Sequence, residues 1–309
     1  MSTQTQTPPT QTAQAETNPP PSQAESSSVE RQPPPAAPSS SEAISQEQKP
    51  SSEEQKSEES KMPKVTHILF DCDNTLVLSE DLAFEACAEV MNRVLEAHGI
   101  PNRYTGPQLI KDFVGMNFRG MLRALAKKYN LNITPEEEEK YVKEEEDQVI
   151  ATLLEKAQPC EGCSPELHKL YEEGKYGLAV VSSSALRRVE ASVKKVGHDV
   201  YFPRGHVFSA ATSLPEPTSK PDPAIYIHAL EMLEKKPEEC VAVEDSKSGT
   251  LSAVRAGIPV MGYVGSYIPE KQEEMKRALL EVGAKTVMTD WSEFREKLSE
   301  FEKDDSGKL

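Results

Sequence analysis

The sequence predicts an α/β protein: a doubly wound parallel sheet with a helical insertion and a tail outside the fold. Three observations carry this reading. Short apolar runs, each closed by polar residues, alternate with helical periodicity through the second half of the chain. The stretch 84–158 shows helical periodicity and no strand pattern. The first 62 residues contain no Leu and no aromatic residue, and so form a separate compositional region.

That first region, 1–62, is Pro, Ser, Gln, Thr and Glu. It cannot bury enough apolar surface to offset the entropy of ordering its backbone, so disorder is expected. Pro33, Pro34 and Pro35 could dock an aromatic groove as a polyproline II segment, which makes a protein partner of this tail conceivable. Order is expected from Lys64. The apolar run 65–70 stops at Asp71 and reads as a buried strand. Helical spacing follows, with Ala83, Ala86, Val90, Val94 and Leu95 on one face. Further helices are expected at 108–113, 118–129 and 135–154, the last with acids near its start, where they suit the helix dipole.

Strand–helix alternation returns after Pro159. Strands are expected at 177–181, 207–210, 240–243, 258–263 and 286–288, with helices at 166–173, 185–196, 223–233 and 246–256. Gly174, Gly197 and Gly257 stand at helix stops. The expected layout is a tail at 1–62, an α/β core from 63–83 and 159–299, a helical cap at 84–158 and a frayed end at 300–309.

The bulk chemistry narrows the function. A net charge of -16 opposes general binding to nucleic acid or an anionic membrane. No apolar run approaches the ~18 residues of a membrane span, and the start of the chain lacks the charge and apolar core of a secretory leader. The cytoplasm is the default compartment, and nuclear entry is compatible with the same features. The five cysteines are odd in number, in a chain long and apolar enough not to need disulfides, and are read as reduced thiols. Cys160 and Cys163 form a C-x-x-C with no second pair to complete a zinc site.

In parallel sheets, ligands bind beyond the carboxyl ends of the strands. The residues there form a coherent set: Asp71 and Asp73, then Ser182 and Ser183, then Lys220, then Glu244 and Asp245. Close carboxylates repel unless something positive lies between them. A few carboxylates plus water suit Mg²⁺, which can also neutralise charge on a phosphate. Lys220 offers a second positive contact, and Ser182 a hydrogen bond to a phosphoryl oxygen. A carboxylate can also attack phosphorus, giving an acyl phosphate that water hydrolyses. A separate group must then protonate the leaving oxygen.

Asp71-Cys72-Asp73-Asn74-Thr75, Ser182, Lys220 and Glu244-Asp245 resemble, in order, the four motifs of the haloacid dehalogenase superfamily. The likeness extends from about Val65 to Trp291 and is strongest to phosphatases and to beta-phosphoglucomutase-like members with a helical cap after the first motif. The resemblance implies Asp71 as nucleophile and metal ligand. It implies Asp73 as the acid and base, with its backbone carbonyl on the metal. Ser182 would hold the phosphoryl group, Lys220 would offset charge, and Asp245 would bind Mg²⁺, with Glu244 acting through water. An acid at Asp73 favours phosphoryl transfer over dehalogenation, because a halide needs no proton. Asn74 stands where many members have Gly, and Asn tolerates unusual backbone angles.

Ser183 and Ser184 read more simply as turn and cap residues, with Ser183 also a candidate substrate contact. Arg119, in Gly115-Met116-Asn117-Phe118-Arg119, is either a substrate contact from the cap or an exposed arginine. Trp291 reads as packing, and the acids from Glu136 to Glu146 as a solvated face. The expectation is thus a Mg²⁺-dependent phosphatase of a small phosphorylated metabolite, a sugar or polyol phosphate, acting through an aspartyl phosphate. A phosphomutase is the alternative in chemistry. A regulatory binding protein recruited through the tail is the alternative in class.

Overall fold

A computed structural model describes residues 65–113 and 116–302. The expectations for the tail at 1–62 and for Gly115 lie outside the described residues.

β1 (His67–Phe70) leads through a tight turn to the two-residue β2 (Val77–Leu78). Four helices follow: α1 (Glu80–Ala97), α2 (Gly106–Asp112), α3 (Phe118–Tyr129) and α4 (Pro135–Lys156). The start of α4 shows why the sequence turns helical there. Thr134 accepts a hydrogen bond from the Glu137 backbone N–H, and the Glu137 side chain accepts one from that of Thr134. Pro135 occupies the first turn, where a missing N–H costs nothing. β3 (Gln158–Pro159) then pairs antiparallel with β2, so the two crossings between the helical block and the sheet run side by side.

The rest of the chain alternates. α5 (Cys163–Glu173), β4 (Gly177–Ser182), α6 (Leu186–Lys195), β5 (Val207–Ser209), α7 (Ala224–Leu233) and β6 (Cys240–Glu244) come first. α8 (Lys247–Arg255), β7 (Val260–Tyr263), α9 (Pro269–Glu281), β8 (Thr286–Met288) and α10 (Phe294–Glu302) complete the fold. Six strands form one sheet in the order β5-β4-β1-β6-β7-β8, and every neighbouring pair in it is parallel. A parallel sheet is covered on both faces, and β1 shows it. Ile68 and Phe70 pack into one apolar cluster and Leu69 into the other, all fully buried.

Trp291 anchors the first cluster. It is buried, stacked on Phe294 at 5.4 Å between ring centres and close to Phe70 and Tyr263. All five cysteines are buried, and none forms a disulfide. No described helix is long and apolar enough to cross a membrane.

The structure departs from the sequence reading in several places. α9 and α10 were not expected, and α10 continues to Glu302, past the anticipated end of the core at 299. The helical block begins at Glu80 rather than 84. The acidic run on α4 is not wholly a solvated face: Glu145 is 3% exposed, because it turns inward to Arg188.

One buried group makes stability depend on pH. His198, in the turn after α6, is 1% exposed, and its Nε2 lies 2.8 Å from Ser164 Oγ. Burial pushes its imidazole down to about 4 from 6.5, against a weaker opposing pull from Asp199. Below 6.5 the unfolded chain takes up a proton that the folded protein refuses until about 4. Folding is therefore weakened as pH falls through that window, by on the order of 3 kcal/mol when complete. Urea unfolding of the wild type and of His198→Gln across this range should show the wild type losing more stability on acidification.

Candidate active site

The site is assembled by strand register. β4, β1 and β6 are neighbours, and Phe70 is level with Val180 on one side and Val243 on the other. The next residues, Asp71, Val181 and Glu244, therefore lie side by side at the carboxyl edge of the sheet. Lys220 arrives from the loop after β5. The four expected segments do meet.

Lys220 is 8% exposed, and its ammonium uses all three donors. Nζ donates to Asp71 Oδ1 at 2.7 Å, to Glu244 Oε1 at 2.6 Å and to the Val181 carbonyl at 2.7 Å. Burial alone would lower its affinity for a proton, but Asp71 and Glu244 outweigh that and hold it above the usual lysine value. Glu244 is fully buried. Its Oε1 also accepts the Tyr226 hydroxyl, and its Oε2 has no hydrogen-bond partner among the described residues. Gly249 passes so close that a Cβ there would fall 1.8 Å from Oε2. Position 249 must therefore be glycine for Glu244 to sit as it does.

Asp71, Glu244 and Asp245 each bring a carboxylate oxygen within 4.8 Å of the others. One ammonium faces three buried carboxylates. Burial, with Glu244 and Asp73, pushes the Asp71 carboxyl up to about 7 against the pull of Lys220. Asp245 is also raised, first by burial and then by Asp71, Glu244 and Glu80. The cluster is short of positive charge, and a hard divalent cation among these oxygens would supply it. The residues present fit Mg²⁺. Asp71 and Asp245 each offer a carboxylate oxygen to it, whereas Glu244 has only Oε2 left, because its Oε1 is taken by Lys220 and Tyr226.

Asp73 follows in the tight turn after β1. Asn74 sits at φ 61, the left-handed conformation that Asn tolerates, and its side chain donates to Glu80 at 2.8 Å. One Asp73 oxygen accepts the Ser79 hydroxyl. The other accepts Ser184 Oγ at 2.8 Å and Ser182 Oγ at 3.3 Å. Ser182 is fully buried, and its hydroxyl also accepts the Ser184 backbone N–H. Ser183 accepts the Lys220 backbone N–H at 3.1 Å and so fixes the loop that carries the lysine. Ser79 and Ser184 escaped the sequence reading. The run of three serines was the available signal, but a serine after a strand is ordinarily a cap.

A cavity of about 410 Å³ joins Asp71, Asp73, Glu80, Lys220, Asp245 and Tyr267. It shares Ala83, Phe84, Met116, Ser183 and Ser184 with a second cavity of about 680 Å³ beneath the helical block. Arg119 lines the second cavity, but its guanidinium is held by Glu138 at 2.6 Å and by Glu139 at 2.6 and 2.9 Å.

Residues 68–263 match the family described as haloacid dehalogenase-like hydrolase. The chain is 32% identical over 221 residues to a phosphorylated carbohydrates phosphatase of Thermotoga maritima, covering 70% of this chain and 91% of that protein. It is 26% identical over 199 residues to a 6-phosphogluconate phosphatase of Escherichia coli, covering 64% and 82%. Among solved structures it is similar to a HAD family hydrolase from Deinococcus radiodurans with bound phosphate and sodium. That likeness has a TM-score of 0.57 and 25% identity, covering 77% of this chain and 96% of that one. The chain belongs to the haloacid dehalogenase-like hydrolase family.

The central ammonium should be a structural necessity. Lys220→Met leaves two buried carboxylates without a counter-charge, and a loss of about 3–5 kcal/mol in urea unfolding is expected. Adding Glu244→Gln should recover part of it, because one of the two charges is then gone. A Lys220→Met protein as stable as the wild type would contradict this account.

Proposed function

We propose that this hydrolase is a Mg²⁺-dependent phosphatase that cleaves a small phosphorylated metabolite, a sugar or polyol phosphate, through an aspartyl phosphate on Asp71. The observation that carries the reading is the arrangement of Asp71 and Asp73 in one cavity, with Lys220 bonded to only one oxygen of Asp71. The other oxygen accepts no hydrogen bond from a described residue and is available to attack. The phosphatase names of two relatives support the same reaction class.

Bound at Asp71, Asp245 and the Asp73 carbonyl, Mg²⁺ would keep the carboxylates ionised and offset charge on the phosphoryl oxygens. The free Asp71 oxygen attacks phosphorus, and the bond from phosphorus to the substrate's ester oxygen breaks. Asp73 gives its proton to that oxygen, which leaves as an alcohol. Asp73, now ionised, takes a proton from water. The resulting hydroxide attacks phosphorus, the bond to Asp71 breaks, and inorganic phosphate leaves. Asp73 must work in both protonation states. The hydroxyls of Ser79 and Ser184 suit this, because each can donate to a carboxylate or accept from a carboxylic acid. Ser182 and Lys220 position the phosphoryl group and Asp71. The helical block acts as a cap that excludes bulk water.

A phosphomutase would run the same first step and then return the phosphoryl group to a second position of the sugar. Its intermediate carries two phosphates and needs a cation for the far one. Arg119, the candidate for that task, is already paired with two glutamates. This favours hydrolysis.

The test is a screen of phosphorylated metabolites with Mg²⁺, run beside Asp71→Asn. Phosphate release should fall by at least about a thousandfold in the variant. Mg²⁺ should also raise the thermal midpoint of the wild type and have little effect on Asp245→Asn. Release by Asp71→Asn at the wild-type rate would refute the mechanism.

A further inference from the structure

The larger cavity has a charge pattern that the chemistry at Asp71 does not use. It shares five lining residues with the catalytic cavity and so lies directly beside it, which lets one molecule place its reacting end in that cavity and its remainder in this one. Its charged lining consists of Arg119, Arg188 and Glu145. Arg188, on α6 of the core, donates to Glu145, on α4 of the helical block. The second oxygen of Glu145 accepts the Cys87 thiol at 3.0 Å. Glu145 is 3% exposed, and Arg188 Nε is buried with no acceptor among the described residues.

Among the described residues, Arg119, Arg188 and Lys220 are the only basic side chains lining either cavity, and each is already matched. Lys220 faces Asp71 and Glu244, Arg119 faces Glu138 and Glu139, and Arg188 faces Glu145. No cation is left for a second anionic group on the substrate. Enclosing such a group without a counter-charge is costly, and close to Glu145 it would meet a like charge. Hydroxyls face no such cost. A carboxylate accepts from them, and a guanidinium with an unused N–H donates to them. Phe84, Phe118, Met116 and Met121 supply an apolar wall for the carbon skeleton.

We propose that the Arg188–Glu145 pair determines specificity: it reads hydroxyls at the unphosphorylated end of a sugar or polyol monophosphate, and the cavity discriminates against substrates with a second anionic group. This rests on the reading of the site as a phosphatase and narrows its substrate class. It also sets the expected preference apart from the acid substrate in the name of the Escherichia coli relative.

The test uses matched esters that differ only at the far carbon, a hydroxymethyl against a carboxylate. Glucitol 6-phosphate is paired with 6-phosphogluconate, and glycerol 3-phosphate with 3-phosphoglycerate, so that two chain lengths are covered. In the wild type with Mg²⁺, kcat/KM should favour the neutral member by at least about tenfold. Glu145→Gln keeps the shape and a hydrogen-bonding group but leaves Arg188 without its counter-charge. The neutral-to-acid ratio should then fall by about tenfold, with a relative gain on the acid member. Each ratio is taken within one preparation, so a partly folded variant does not distort it. Equal or reversed preference in the wild type, or an unchanged ratio in Glu145→Gln, overturns this inference alone. Absence of phosphate release from every ester overturns the phosphatase reading, and this inference with it.

Discussion

A single buried ammonium organises the structure. Lys220 spends its three donors on acceptors from two neighbouring strand ends, β1 and β6, and on the backbone of a third, β4. A buried lysine is tolerable only where carboxylates surround it, and buried carboxylates only where something positive does. The balance is incomplete, because Asp245 adds a buried charge to which Lys220 makes no direct bond. The fit of a divalent cation among these oxygens follows from that shortfall. So does the need for glycine at 249, since a side chain there would displace Glu244 and with it one of the acceptors of the lysine.

Much of this was legible in the sequence because parallel sheets impose a simple rule. Strands that read as short apolar runs end on one edge, and whatever follows them is brought together. Asp71, Ser182 and Glu244 needed only the strand ends to be located correctly, and a residue or two of error in those ends did not move them. Asn74 was legible for a local reason: its left-handed backbone is one that few side chains other than Asn adopt cheaply. Trp291 was legible from its size and apolarity alone, and it is buried.

What stayed hidden depended on direction rather than position. Nothing in the spelling of Glu244-Asp245 says that one carboxylate turns back to a lysine and a tyrosine while the other stays open. Ser79 stands at the N-cap of α1 and Ser184 lies just before the cap of α6, and only the folded turn reveals that both hydroxyls converge on Asp73. Glu145 is one acid in a helix rich in them, and its burial depends on a partner 43 positions away. α9 and α10 were missed because they carry many charges and bury few residues, which weakens the apolar period on which helix assignment relies. β2 and β3 are two residues each, too short for any alternation to register.

Those two short strands matter out of proportion to their length. Among the described residues they are the only crossings between the core and the helical block, so the chain passes between the two through one narrow antiparallel pair. A second attachment lies where α6 meets α4. Arg187 pairs there with Glu146 and Asp147, but its side chain is 59% exposed, and ion pairs in water contribute little. Arg188 and Glu145 are the sheltered pair beside it. A sheltered contact between the block and the core is therefore also a contact that fixes the charge of the larger cavity. Position and electrostatics cannot be tuned separately at that point. A substitution at Glu145 that alters what the cavity accepts must also alter how firmly the block is seated.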